Sequence, residues 1–315
     1  MFDSVITITL NPAIDITINL DDFSFEEPIN ASSEIMHSGG KAINVSRVLS
    51  AMGVKNKAIG VIGQNNSQDF CAMLDSEGVE YDFTIAKGSI RQNLTLVFPD
   101  KRVMKINRKG IHFDPDFITN IGEKLDLLLQ NTKNTLLVFA GSLPQDFCKD
   151  DYIKLINRYN LPNVKISLDT NFFTVDDIKK IRPYIIKPNL VEFSKLIGKD
   201  VYSRVELQEG AKMIAPYCEH ILVSLGKDGL FYCSGTKMLA AVPEGVEVLS
   251  TVGAGDTTLA GFIKSLNDDV NDTKKAVLFA VSAGTASVKL AGTARVSMQQ
   301  VEDILKTTKL YVIHE

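Results

Sequence analysis

Hydrophobic and polar positions along this chain alternate between two periods. Short β-branched runs at residues 5–9, 58–62, 136–139, 164–168, 184–186 and 221–223 read as buried strands. Between and after them, apolar residues recur at helical spacing over 42–52, 67–75, 115–130, 149–159, 191–196, 204–215, 255–266 and 273–290. Such a succession predicts a mainly parallel sheet with helices on both faces. Two regions break the alternation. Residues 15–20 and 34–36 form short strand patterns with no helix between them, and 94–99 and 102–107 read as a hairpin turned at Asp100-Lys101. They predict a small antiparallel sheet beside the main one, placed as a lid. No linker, repeat or low-complexity tract divides the chain.

Composition narrows the class. The 315 residues are 45% hydrophobic and 23% charged, enough to bury a core without disulfides or metals. A net charge of −4 argues against a nucleic-acid binder. No apolar run reaches the ~18–20 residues of a membrane span, and residues 1–10 lack the pattern of a secretory leader. Cys71, Cys148, Cys218 and Cys233 are scattered with no Cys-x-x-Cys pair, and the four histidines are equally dispersed. The expected location is therefore cytoplasmic, with no zinc or redox motif.

Three segments carry chemistry. In Ser250-Thr251-Val252-Gly253-Ala254-Gly255-Asp256 a β-rich stretch, 246–249, meets glycines and then a helical pattern. The first N–H groups of a helix lack internal partners, and with the helix dipole they favour phosphate or developing negative charge. An Asp there repels an anion, but it suits removal of a proton from a hydroxyl that attacks the phosphate. An acid in the first turn is also what the dipole favours, so the segment alone leaves both readings open. Ser38-Gly39-Gly40-Lys41-Ala42-Ile43-Asn44 leads into a second helix and places backbone N–H, an ammonium and an amide together, a pattern for a sugar and an anion or simply a capped glycine turn. Asp15, beyond the first strand, could bridge two sugar hydroxyls or lie exposed in a turn. The chain has no Gly-x-x-x-x-Gly-Lys-Ser/Thr, and Asn11-Pro12 follows the first strand where a dinucleotide fingerprint would stand.

Taken in order, Thr9-Leu10-Asn11-Pro12-Ala13-Ile14-Asp15, Gly39-Gly40-Lys41-Ala42-Ile43-Asn44-Val45, Gly141-Ser142-Leu143-Pro144, Lys187-Pro188-Asn189 with Glu192, Ser224-Leu225-Gly226-Lys227-Asp228-Gly229, and Val252-Gly253-Ala254-Gly255-Asp256 resemble the ribokinase/PfkB family of carbohydrate kinases. Within it the chain resembles the branch of 1-phosphofructokinases and tagatose-6-phosphate kinases. The resemblance implies a ribokinase-like three-layer α/β sandwich, 1–315 as one kinase domain, with a discontinuous lid from about 12–37 and 90–110. It implies ATP and Mg²⁺ and transfer of the γ-phosphoryl group to a sugar hydroxyl. By motif position Asp256 resembles the catalytic base, and Gly253, Ala254 and Gly255 with it resemble the anion hole. Asp15, Gly39, Gly40, Lys41 and Asn44 match sugar-binding positions, with Ser142 in the Gly-Ser-Leu-Pro segment. Lys187, Ser224, Gly226, Gly229 and Thr251 match the nucleotide site. Asn189 and Glu192 match the Asn-x-x-Glu tied to phosphate and Mg²⁺, with Glu192 acting through water or phosphate. Ala42 departs from the family's usual Gly, which implies either that no positive φ is required there or that a close approach tolerates a methyl.

The same resemblance favours a sugar that already carries a phosphate. Lys41 after the paired glycines and Arg91 in Arg91-Gln92-Asn93 match that branch, Asn93 beside them, and Arg108 beyond the hairpin could also reach a phosphate. The 250–256 segment is closer to the 1-phosphofructokinase version, so the expected substrate is fructose 1-phosphate; tagatose 6-phosphate is the alternative. A non-catalytic sugar-phosphate sensor on the same fold is a further alternative, opposed by Asp256, Asn189 and Glu192. A homodimer through the lid is expected.

Overall fold

The computed structural model describes residues 2–24, 26–112, 114–130 and 132–315. Met1, part of the leader reading, lies outside them. The chain opens with β1 (Ser4–Thr9), β2 (Ala13–Leu20), β3 (Ala31–Gly39), α1 (Lys41–Ala51), β4 (Asn56–Gly63), α2 (Ser67–Ser76) and β5 (Tyr81–Ala86). It continues through β6 (Arg91–Val97), β7 (Val103–Ile106), α3 (Asp116–Leu129), β8 (Thr135–Ala140), α4 (Lys149–Arg158), β9 (Val164–Asp169), α5 (Val175–Ile181) and β10 (Ile185–Ile186). It ends with α6 (Leu190–Ile197), α7 (Arg204–Ile214), β11 (His220–Ser224), β12 (Leu230–Ser234), β13 (Lys237–Val242), α8 (Ala254–Asp268), α9 (Thr273–Val288), α10 (Met298–Leu305) and β14 (Lys309–His314).

The large sheet has the order β14-β13-β12-β11-β10-β9-β8-β1-β4-β5. From β11 to β5 all neighbours are parallel, and β12, β13 and β14 extend the β11 edge antiparallel. Because the side-chain period of a strand is two, a strand buried on both sides feeds two cores. Ile6 and Ile8 of β1 face Ile121, Tyr152 and Phe193 from α3, α4 and α6. Val5 faces the opposite way, toward Val45, Leu259 and Phe262 from α1 and α8. Each such side chain, fully buried, contributes about 1.5–3 kcal/mol. Among the described residues no helix is long and apolar enough to cross a membrane.

The second sheet has the order β3-β2-β6-β7. It joins the two irregular regions of the sequence, and the expected hairpin is present between β6 and β7. The β2–β6 pairing is parallel, so the sheet is mixed rather than wholly antiparallel. Its register sorts the side chains. Asp15 lies opposite His37 and Asn93, Thr17 opposite Thr95, and Thr95 opposite Lys105, so one face is polar. Ile14, Ile16 and Leu94 point the other way and pack on Phe70 and Leu74 of α2. The apolar face fixes the lid to the body, and the polar face is left for a ligand.

One expected β stretch is absent. Residues 246–249 form no strand, because no neighbouring strand flanks them. The Leu249 and Ser250 N–H groups instead donate to the Val288 carbonyl at the end of α9.

Candidate active site

The motifs converge where ligands sit in open α/β sheets, beyond the carboxyl ends of the parallel strands. β9 ends at Asp169, Lys187 follows β10, β11 ends at Ser224, and α8 begins at Ala254. Gly253 caps α8 with φ 76°, a conformation that favours glycine, and this aims the first turn's N–H groups at the cleft. Ala42 sits inside the first turn of α1 without a positive φ, as the first of its two readings implied. Two cavities meet at Lys41, Gly253 and Asp256. A third, of about 640 Å³, opens at the opposite ends of β9–β11 beside Lys165 and Arg182 and holds none of the motif residues.

The first cavity, about 630 Å³, takes in Lys187, Asn189, Glu192, Ser224, Gly226, Gly229, Thr251, Ala254 and Gly255. Leu230, Val246, Val248 and Val281 give it an apolar wall, suited to a flat heterocycle, while the α8 N-terminus and Lys187 offer charge to phosphates. The buried Ser224 hydroxyl has no partner among the described residues. The second cavity, about 220 Å³, is roofed by the polar lid face: Asp15, Thr17, His37, Arg91, Asn93, Thr95 and Lys105, over Gly40 and Asn44. Gly39 is required beneath it, because a Cβ there would overlap the Asp15 carboxylate. Asn93 donates to Asp15 Oδ1 over 2.9 Å, and its own buried Oδ1 is unpartnered among the described residues, an acceptor available to a hydroxyl. Burial pushes the Asp15 carboxyl above its usual range, against Asn93 and Arg91.

At the junction Asn44 Nδ2 donates to Asp256 Oδ2 over 2.8 Å. Burial and the nearby charge of Asp169 push Asp256 up to about 7, with Lys41, Asn44 and Lys187 opposing. A carboxylate poised there is matched to general-base work near neutrality. Asp169 is itself fully buried, yet Lys187 and Lys41 hold it below the usual range against that burial. Lys41 Nζ lies 2.8 Å from Asp169 and 3.1 Å from Glu192, and Lys187 Nζ lies 3.2 Å from Asp169. Lys41 is therefore engaged by two carboxylates, Asp169 and Glu192, rather than standing free for a sugar phosphate.

Two further placements differ from the sequence reading. Ser142 lines neither cavity; its hydroxyl accepts from Asn11 Nδ2 over 3.1 Å, and the Asn11 carbonyl accepts from Arg91 over 3.3 Å. Ser142 thus lies behind Arg91. Arg108 also lines neither cavity, because its guanidinium donates over 3.0 Å to Gln92, whose side chain lies on the lid's other face. Asn189 and Glu192 form a reciprocal capping box at the start of α6, with both hydrogen bonds 2.9 Å long. Asp169, Lys105 and His37 were not singled out from sequence. A carboxylate ending a buried parallel strand is a signal for the first; lid alternation is a signal for the others.

These cavities pair a phosphate cradle and a poised carboxylate with a polar, lidded pocket. The sequence pattern of the pfkB family carbohydrate kinase matches residues 8–300. The chain belongs to that family. A 1-phosphofructokinase of Borreliella burgdorferi is 32% identical over 287 residues that cover 90% of this chain and 91% of that protein. A 1-phosphofructokinase of Vibrio cholerae is 32% identical over 83% of this chain and 82% of its own. The solved phosphofructokinase-2 of Escherichia coli, in complex with potassium, superposes with a TM-score of 0.88 at 23% identity, covering 97% of this chain and 99% of that one, a likeness of fold. The ribokinase-like sandwich with its small lid sheet is thus the architecture of a pfkB carbohydrate kinase.

Proposed function

We propose that the chain is a 1-phosphofructokinase, which transfers the γ-phosphoryl group of ATP to the C6 hydroxyl of fructose 1-phosphate to give fructose 1,6-bisphosphate. The observation that carries the reading is the meeting of a nucleotide-sized cavity and a lidded polar cavity at the buried carboxylate Asp256. ATP lies in the larger cavity, its base on the Val246–Val281 wall and its phosphates toward Lys187 and the α8 N-terminus. The sugar lies under the lid, held by Asp15, Asn93 and Asn44. Asp256 takes the proton from the attacking hydroxyl, and the N–H groups of Ala254 and Gly255 meet the charge on the transferred group. Arg91 and Lys105, on one lid face, hold the phosphate already present.

Mg²⁺ fits this site through water. A hard cation that keeps most of its hydration needs one or two carboxylates beside substrate phosphates, and Glu192, with Asn189 beside it, lines the nucleotide cavity. No cluster of three or more metal-ligating side chains occurs among the described residues. Glu192 and Asn189 would hold the hydrated ion, which would supply positive charge against the phosphates.

The deciding measurement is ADP release with ATP and Mg²⁺ on equal concentrations of fructose 1-phosphate and tagatose 6-phosphate. Higher kcat/KM is expected for fructose 1-phosphate, in line with the two 1-phosphofructokinases at 32% identity. The reverse preference selects the tagatose kinase, and turnover of neither selects the sensor. The exposed apolar residues of the outer lid strands, Ile35 and Met36 on β3 and Val103 and Met104 on β7, support a homodimer through the lid. Light scattering at micromolar concentration should give twice the 34.6 kDa chain mass.

A further inference from the structure

We propose that Arg47 is a positioning residue for phosphoryl transfer: its guanidinium fixes the Asn44 amide that holds Asp256, and anchors Thr293 against the first turn of α8. The inference rests on the kinase reading for its catalytic consequence, while the positioning itself is a property of the fold. Arg47 lies on α1, 1% exposed. A buried guanidinium is costly unless its donors are met, and here they are. Nε and Nη2 fork onto Glu77, at the end of α2, over 2.5 and 2.6 Å. Nη1 reaches Asn44 Oδ1 at 3.4 Å and Thr293 Oγ1 at 3.3 Å. Arg295 grips the same Glu77, donating to its carbonyl over 2.7 Å.

Core packing alone does not ask for this ion pair, since apolar residues of similar volume commonly serve stability as well. Its distinct effect is on orientation. An amide has a donor end and an acceptor end, and a guanidinium offers only donors. Placed at Asn44 Oδ1, Arg47 selects the rotamer whose NH₂ faces Asp256; the flipped amide would set carbonyl oxygen against carboxylate. The i,i+3 spacing of Asn44 and Arg47 puts both on one side of α1. Through Thr293 the same group reaches the cap of α8, because the Thr293 methyl stands 3.5 Å from where a Gly253 Cβ would be. Arg47 therefore ties α1, the end of α2, the loop around Thr293 and the anion-binding turn together. The groups around Asp256 are Asp169 from β9, Lys187 after β10, and Lys41 and Asn44 from α1, with Arg47 behind Asn44.

The test compares the wild type with Arg47→Met/Glu77→Gln, which removes one charge of each sign and leaves net charge unchanged. A change at Asp256 then reports the lost amide orientation rather than a lost charge. The Asp256 carboxyl is followed by ¹³C NMR during a pH titration and identified by its absence in Asp256→Asn. Its midpoint should rise by about 0.5–1 pH unit as the Asn44 hydrogen bond loosens. With fructose 1-phosphate, kcat should fall about tenfold or more while the KM for ATP stays within about twofold. Arg47→Lys keeps the charge but not the fork, so it should move both readouts in the same direction, and it serves where the double variant does not fold. A folded variant with unmoved midpoint and unmoved kcat overturns the proposal. A wild type that turns over no phosphosugar overturns the kinase reading instead, and the carboxyl midpoint alone then decides the role of Arg47.

Discussion

Asp256→Asn is expected to lower kcat by about 10²–10⁴-fold, the usual worth of general-base catalysis, with ATP affinity near that of the wild type. The amide is nearly isosteric and still faces Asn44, so the first turn of α8 should keep its form. What is lost is the capacity to take a proton. Burial and the Asp169 charge hold Asp256 near 7, so activity should follow its ionised form and fall as pH drops through about 7. The stability effect has the opposite sign. A carboxyl whose folded pKa is raised from 3.8 to about 7 favours folding when protonated, and that advantage is lost as pH rises from about 4 through 7. A permanently neutral Asn keeps it. The variant should therefore melt a few degrees above the wild type at pH 8 and near it at pH 4. Wild-type kcat in a folded variant would assign Asp256 to helix capping alone.

Much of the legible part of this fold lies where one element buries both sides of itself, although the interior strands β12 and β13 escaped the pattern. β8 is a nearly continuous apolar run, and β1 and β9 are buried along almost their whole length, because helices cover them front and back. β5 and β14 escaped the pattern because they are sheet edges with half-exposed residues such as Tyr81 and Tyr311, where alternation has no second core to enforce it. α5 and α10 are short, and capping boxes at Thr174 and Ser297 mark where they start.

The site divides along the same line. Positions in glycine-rich helix starts were legible, because backbone geometry dictates residue type there. Asp169 was not, since its meaning comes from Lys41, 128 residues earlier, and Lys187, which only the strand order brings to it. The Asn189–Glu192 pair shows that one spacing can serve two ends. Glu192 Oε2 accepts from the Asn189 N–H to cap α6 while Oε1 accepts from Lys41, so the cap holds the carboxylate at the rim of the nucleotide cavity. Ser142 was legible as part of a motif, but its contact with Asn11 places it behind Arg91 rather than in the pocket.

Arg91→Ala should cost roughly 10–150-fold in kcat/KM for a phosphorylated sugar, from the ~1.5–3 kcal/mol of a charged hydrogen bond. Arg91 begins β6 on the polar lid face, in line with Asn93 and Thr95, and lines the sugar cavity with Lys105. Two donors already reach inward: Nε to the Pro12 carbonyl at 3.4 Å and Nη2 to the Asn11 carbonyl at 3.3 Å. Both bonds are long, and the guanidinium has five donors, so it can stay anchored to the strand end while turning a fork toward phosphate. Lys41 cannot take over, because Asp169 and Glu192 hold its ammonium. Lys105 can supply charge, though not a planar fork, so the loss should be large without being complete. A merely structural Arg91 would weaken ATP and every sugar alike by loosening the Asn11 turn. The expected result separates the two: KM for ATP little changed, kcat/KM for fructose 1-phosphate sharply reduced, and the poor rate on unphosphorylated fructose no worse than in the wild type. Equal losses on all three substrates, or none on fructose 1-phosphate, would move the phosphate contact away from Arg91.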